Sequence, residues 1–333
     1  MSSRAEDEIL PVVPAAELAE PDVTRRWLVE GLWARSGVGI IGGAPKCGKS
    51  WLGLDLALSV ASGTSCLDNF SVPQPGPVLL YMAEDAASAV KERLIGLCQH
   101  RGIDLGQHPV GVITAPSMRL DLERDRHRLD ETVRRHAPRL LLLDPFVRLH
   151  RINENDAGEV SALLGYLREL QRRHDLAVAV VHHARKNGNT GAGGQSLHGS
   201  GDFFAWVDSA LSLRRQRQQI LLTVEHRAAS APQPIMLTLV GDGLDEPTRL
   251  ALANADADNA DEARLDRPED LQAAILAALD RAPDGALLRP TLRALLRVRN
   301  ERLGLALSCL TTAGRITRRG EAWTRFPVPV PAH

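Results

Sequence analysis

The chain has 333 residues, 44% of them hydrophobic and 24% charged, with a formal net charge of −1, which suits a folded soluble protein of one large or two unequal domains. No apolar run reaches the roughly 18 residues of a membrane span, and an N-terminus carrying Glu6, Asp7 and Glu8 is acidic where a secretory signal is basic, so a cytoplasmic protein is expected. Cys47, Cys66, Cys98 and Cys309 are scattered, with no zinc spacing, which argues against a disulfide scaffold and a structural zinc.

The charge is unevenly spread. The acidic tail 1–22 carries −5 and the stretch 251–266 carries −4, whereas 268–333 carries +4. The acids thus gather in a tail and a linker and leave both folded parts mildly basic, which is compatible with nucleic acid.

Between Val38 and Val240 short apolar runs alternate with helical segments, the rhythm of an α/β domain with a mostly parallel sheet. Strands are predicted at Val38–Ile41, Val78–Met82, Val110–Thr114, Leu140–Leu143, Leu176–Val181, Ser209–Leu213, Ile220–Glu225 and Ile235–Leu239, the last three forming an antiparallel extension at the sheet edge. Helices are predicted at Lys49–Ser62, Ala87–His100, Asp121–His136 and Val160–His174. The expected organisation is a tail over 1–22, a large α/β domain over 23–250, an acidic linker over 251–267 and a small domain over 268–333. In that last part Glu269–Arg281, Arg289–Leu296 and Glu301–Ala313 read as three short helices before a hairpin through Gly320, a winged-helix pattern.

Gly43-Ala44-Pro45-Lys46-Cys47-Gly48-Lys49-Ser50 matches the P-loop, G-x-x-x-x-G-K-[ST], between a strand and a helix. Glycines let backbone N–H groups close around phosphate, and the helix N-terminus adds partial positive charge. Lys49 would hold the β- and γ-phosphates of ATP and Ser50 would ligate Mg²⁺; the nucleotide-binding set runs from Gly43 to Trp51. Cys47 is either a small filler or, with a thiol activated by the helix N-terminus, an oxidation switch. Leu140-Leu141-Leu142-Leu143-Asp144 is a buried strand ending in a carboxylate, the Walker B pattern, and Asp144 would support the metal.

Two other strand ends carry polar groups. Glu84-Asp85 follow Val78–Met82, where Glu84 would orient the attacking water unless these acids cap the next helix. His182-His183 follow Leu176–Val181, where His183 would sense the γ-phosphate unless the histidines are packed core residues.

With these motifs in order, the chain resembles the RecA-like P-loop ATPases, and among them the plasmid-type RepA replicative helicases. The likeness runs over about 27–240 through Gly42–Trp51, Tyr81–Asp85, Leu143-Asp144-Pro145, Glu154-Asn155-Asp156, His182–Lys186, His198–Gly201 and Trp206-Val207-Asp208. The resemblance implies a RecA-like α/β core with Glu84 as catalytic base and His183 as the polar residue after the fourth strand. It further implies a ring, a hexamer, in which each site is completed by a neighbour's arginine. Arg227 matches that finger, although Glu225 stands where such helicases often have Lys, and Arg214, Arg215 and Arg217 are rivals. Single-stranded DNA would meet the glycine-rich segment Arg185–Gly201 through Lys186, and the segment after Asp144 through Arg148, His150 and Arg151; both could equally be charged surface loops.

In the C-terminal part Arg297, Arg299, Arg302, Arg318 and Arg319 could meet phosphates, although the recognition helix is poor in base-reading side chains and a protein partner is as well supported. The sequence thus points to a Mg²⁺- and ATP-dependent ring motor on single-stranded DNA in plasmid, phage or mobile-element replication. The rivals are an ATP-regulated DNA-binding regulator or recombination mediator without helicase activity, and an NTPase with no nucleic acid.

Overall fold

The computed structural model describes residues 10, 12–18, 26–153, 156–183, 201–217, 219–241, 248–253, 268–282, 284–296, 300–320 and 322–326. The chain divides into two compact units, Met1–Leu252 and Ala253–His333. Among the described residues no helix is long and apolar enough to cross a membrane.

The first unit opens with a hairpin of β1 (Trp27–Val29) and β2 (Trp33–Ala34), whose Trp33 ring is fully buried. The alternating part then follows as β3 (Val38–Gly43), α1 (Lys49–Ser62), β4 (Val78–Met82), α2 (Ala87–Arg101), β5 (Val110–Val112), α3 (Glu123–His136), β6 (Leu140–Asp144), α4 (Ala157–His174) and β7 (Ala177–His183). After α5 (Gly201–Trp206) come β8 (Ser209–Gln216), β9 (Gln219–His226), β10 (Ile235–Val240) and β11 (Arg249–Leu252). One nine-stranded sheet results, in the order β11-β10-β9-β8-β3-β7-β6-β4-β5. The strands from β8 to β5 in that order run parallel, and β9, β10 and β11 add antiparallel to the β8 edge.

Helices cover both faces of the sheet. α1 and α2 pack with Ile41, Leu80, Leu142 and Val181 on one face; α3, α4 and α5 pack with Ile40, Leu141, Leu143 and Val180 on the other. A strand covered on both faces needs a continuous apolar run rather than an alternating one. This is why Leu140–Leu143 are all 0% exposed, each contributing roughly 1.5–3 kcal/mol by burial. Local chemistry supports the helices: Glu123 and Asp125 open α3 and Arg134, Arg135 and His136 close it, matching the helix dipole, and the Asp156 side chain caps α4 at the N–H groups of Gly158 and Glu159.

Several predicted boundaries shift. β7 continues through both histidines, β5 stops at Val112, and β8 and β9 are longer than expected. The stretch read as the start of the linker is partly strand, because Ala251 and Leu252 pair with Thr238 and Leu237.

The second unit has α6 (Pro268–Arg281), β12 (Ala286–Leu288), α7 (Arg289–Leu296), α8 (Asn300–Thr312), β13 (Ile316–Arg319) and β14 (Ala322–Arg325). The three strands form an antiparallel sheet in the order β12-β14-β13, and Leu271, Ile275, Leu279, Leu292, Leu307 and Ile316 make a small core of their own.

Candidate active site

The phosphate loop is built by close packing. Gly43 has φ +149°, and a Cβ there would run into the Leu213 carbonyl of β8 and lie 2.8 Å from the Cys47 Sγ. Gly48 has φ +90° at the start of α1, a conformation that side chains rarely adopt. Lys49, 5% exposed, bends back over the loop, its Nζ donating to the carbonyls of Gly43 at 3.0 Å and Ala44 at 2.8 Å. Burial lowers its pKa, against the pull of Asp144 and Glu84. The Cys47 thiol is buried too, and burial pushes its pKa up, which does not support the activated thiol. Trp51 turns toward α2, with the Arg93 guanidinium 5.4 Å from its ring centre.

Asp144 ends β6 on the same face as α1 and is 6% exposed. Burial raises its carboxyl to about 6, assisted by Asp85 and Glu84 and opposed by a hydrogen bond with Ser50 and the charge of Lys49. Its Oδ2 is buried without a hydrogen-bond partner. An orphaned carboxylate oxygen beside a hydroxyl suits a hard divalent cation. Among the described residues no group of three His, Cys, Asp or Glu could hold a metal, so a cation at Asp144 and Ser50 would complete its shell with phosphate oxygens and water, the habit of Mg²⁺.

Glu84 and Asp85 follow β4, which is tied to β6 by the Ala83 N–H bonding to the Asp144 carbonyl at 2.7 Å. Neither acid caps α2, whose N-cap is Ala86 with no side-chain bond. Asp85 is instead held by both terminal nitrogens of Arg93, at 2.7 and 3.0 Å, and Glu84 Oε1 accepts from Arg148 Nε at 2.7 Å.

The two histidines part according to strand alternation. His182 is buried against Phe203, ring centres 4.6 Å apart, and near Phe146. His183, half-buried, pairs in register with Gly43 at the mouth of the phosphate loop. His150, a candidate for strand contact, is buried with its ring 4.6 Å from Phe146, so it cannot meet a nucleic acid; burial in the aromatic cluster is the reason. Arg148 and Arg151 remain exposed.

Arg227 lies elsewhere. β9 is antiparallel to β8, so His226 stands opposite Ser209, which pairs with Gly39 at the far end of β3 from Gly43. At about 3.3 Å per residue along β3, that is more than about 10 Å from the loop. The Arg227 guanidinium donates to the Ala205 carbonyl and sits 3.6 Å from Asp208. By contrast Arg215, one of its rivals, reaches the P-loop of its own chain and donates to the Lys46 carbonyl at 3.2 Å.

Lys186, Glu154, Asn155, Arg297 and Arg299 lie outside the described residues, and so does the side chain of Arg302. The sequence reading missed Arg93 and the Arg148–Glu84 contact; a single sequence offers no signal for either beyond Arg93 standing in the second turn of the helix after Asp85.

Four neighbouring strand ends therefore present, in the order β4-β6-β7-β3, Glu84, Asp144, His183 and the phosphate loop. The Walker B strand is separated from the P-loop strand by one inserted strand, β7. This fold and site define a P-loop nucleotide hydrolase with a RecA-like core. The chain belongs to the AAA domain family AAA_25, whose model matches residues 3–189, more than half of its length, and it is an ATP-hydrolysing enzyme. Similar solved structures include a DnaB-like replicative helicase described with its primase interactions (14% identity, 66% of this chain and 59% of that one, TM-score 0.48). Another is the RadB recombinase (18% identity, 66% of this chain and 92% of that one, TM-score 0.48). These likenesses are remote, and the assignment rests on the family match and the site.

Proposed function

We propose that the chain is a Mg²⁺-dependent ATPase working as a ring, a hexamer, on single-stranded DNA, in the manner of the RepA-type helicases its motifs resemble. The carrying observation is the row Glu84, Asp144, His183 and P-loop along adjacent strand ends. At about 4.8 Å between strands the row spans about 14 Å, room for a triphosphate and its attacking water.

In this reading Lys49 leaves the Gly43 and Ala44 carbonyls for the β- and γ-phosphate oxygens, and the N–H groups at the start of α1 bind the rest. Ser50 and Asp144 hold Mg²⁺, which when bound neutralises developing phosphate charge. Glu84 takes the proton of a water that adds to the γ-phosphorus while the bond to the β–γ bridging oxygen breaks and ADP departs. His183 reports the loss of the γ-phosphate to the chain that follows it. Arg227, too far from its own loop, serves a neighbouring copy. Exposed Arg148 and Arg151 after Asp144, with Lys186 after His183, contact the strand.

For the second unit, three helices with a three-stranded sheet and exposed Arg318 and Arg319 on the β13–β14 hairpin support the winged-helix reading. On α8 the described exposed side chains are Leu305, Ser308, Cys309, Thr311 and Thr312, which favours a protein partner over base reading.

The test is steady-state ATP turnover with and without single-stranded DNA, joined to mass measurement in ATP. Stimulation at low salt that fades as salt rises, together with a ring mass, is expected. A fully active monomer indifferent to DNA would overturn the reading, and ATP-driven strand separation distinguishes a helicase from a regulator. Glu84→Gln should keep nucleotide binding and slow hydrolysis about 10²- to 10⁴-fold; a wild-type rate would move the base elsewhere.

A further inference from the structure

The carboxylate assigned to activate water is already engaged. Arg148 Nε donates to Glu84 Oε1 at 2.7 Å, across a sequence gap of 64 residues. Arg148 closes the short turn Phe146–Arg148, one residue after the Walker B strand; Phe146 and Leu149, before and after the exposed Val147-Arg148 pair, are both fully buried. The backbone at Arg148 is thereby pinned to the core while its side chain stays 61% exposed. The same residue thus faces solvent, where a polyanion would arrive, and holds the candidate base.

A carboxylate that accepts from a guanidinium has that oxygen occupied and is turned toward its partner rather than toward a water. The neighbouring acid cannot stand in, because Asp85 is held at both oxygens by Arg93. Yet the pair is breakable: with Glu84 46% exposed, it is an exposed ion pair of small net strength. A phosphodiester offers a guanidinium the same pair of oxygens as a carboxylate, and a strand brings many such groups at once. Arg151, exposed in the same segment, gives the strand a second cation. Glu84 is within electrostatic reach of the reaction centre, since its charge bears on both Lys49 and Asp144.

We infer that Arg148 is a positioning residue that restrains Glu84 until single-stranded nucleic acid takes its guanidinium, so that strand binding releases the base for hydrolysis. This rests on the reading of Glu84 and of DNA given above. It assigns Arg148 a second task beyond phosphate contact, and the two tasks predict different kinetics.

The experiment measures turnover and KM for ATP on the full chain, without and with oligothymidylate at low salt. Wild type is compared with Arg148→Ala, Arg148→Lys, Glu84→Gln and the double variant Arg148→Ala/Glu84→Gln. Without oligothymidylate, Arg148→Ala should turn over about two- to fivefold faster than wild type, the range an exposed ion pair can hold back, at unchanged KM. Added oligothymidylate should then stimulate it less than wild type, with Arg148→Lys in between. The double variant should be as slow as Glu84→Gln, because the gain passes through Glu84. An unchanged or lower basal rate in Arg148→Ala, with weaker strand binding, would make Arg148 a phosphate contact alone and overturn the inference. So would acceleration that survives in the Glu84→Gln background. If oligothymidylate fails to stimulate wild type, the DNA reading fails and the strand is not the releasing ligand, while the basal rate of Arg148→Ala still decides whether the pair restrains Glu84.

Discussion

The two ends of the large sheet are built on opposite principles. At the carboxyl ends of β4, β6, β7 and β3, charged groups are buried around an unfilled valence: Lys49 donates to loop carbonyls, and Asp144 keeps one oxygen unpartnered with its carboxyl raised to about 6. At the other end a network of polar groups is paired, with the Trp206 Nε1 buried beside it without a hydrogen-bond partner. Asp208 accepts from the Val38 N–H at 3.0 Å and from both terminal nitrogens of Arg168, which also reaches the Trp206 carbonyl, and the His226 ring bonds Ser209 at 3.1 Å and the Gly31 carbonyl at 3.0 Å. A fold that leaves polar groups unsatisfied in one place and pairs them in another has placed its binding energy in the first and its stability in the second.

That contrast can be broken by substitution. The largest effect is expected for Lys49→Ala, which should abolish ATP turnover in a steady-state assay while the thermal transition stays near wild type, because the lysine holds only loop carbonyls that solvent can reach once it is gone. A collapse of the fold would show the loop end to be structural after all.

Arg227 tests the contrast from the other side, since it sits among the satisfied groups. If it serves a neighbour's phosphate, Arg227→Ala should lower turnover about 10³-fold or more. Mixing those subunits with Lys49→Ala subunits should restore some activity by pairing an intact loop with an intact finger. Loss of stability without that rescue would make Arg227 part of the Asp208 network only.

Asp208→Ala should cost about 2–4 kcal/mol in denaturant unfolding, because it strands a part-buried Arg168 and the Val38 N–H. Protein that remains folded should hydrolyse ATP at close to the wild-type rate.

The smallest effect, and of opposite sign, is expected at Asp144. Its folded carboxyl titrates near 6 rather than the ordinary 3.8, so the folded chain holds a proton that the unfolded chain releases. Stability of the nucleotide-free protein from this group is therefore full below about pH 4 and falls as pH rises toward 6. Asp144→Asn should remove that dependence and raise stability near neutral pH by about 1–3 kcal/mol, read by denaturant titration, at the expense of hydrolysis. Conversely, Mg²⁺-dependent nucleotide affinity in wild type should decline as pH drops through about 6, where Asp144 takes up its proton. A melting curve for Asp144→Asn that tracks wild type from pH 4 to 7 would show that its carboxyl is not strained.

What the amino-acid sequence determined by itself is what local chemistry must spell out contiguously. A phosphate cradle needs its glycines, Lys49 and Ser50 within one turn, and a strand covered on both faces needs an unbroken run such as Leu140–Leu143 before Asp144, so both were legible. Strand alternation also separates His183 from His182 once the strand is known to continue through both. The hairpin β1–β2 was not legible, since strands of three and two residues are too short to show a period, and β11 was hidden in an Ala-rich stretch. Only the tertiary structure decided where distant charges meet: Arg148 on Glu84 across 64 residues, Arg215 on the Lys46 carbonyl across 169, and Arg227 at the far end of β3. The physical reason is that a side chain's type sets what it can bind, while the order and direction of strands in the sheet set what comes within its reach.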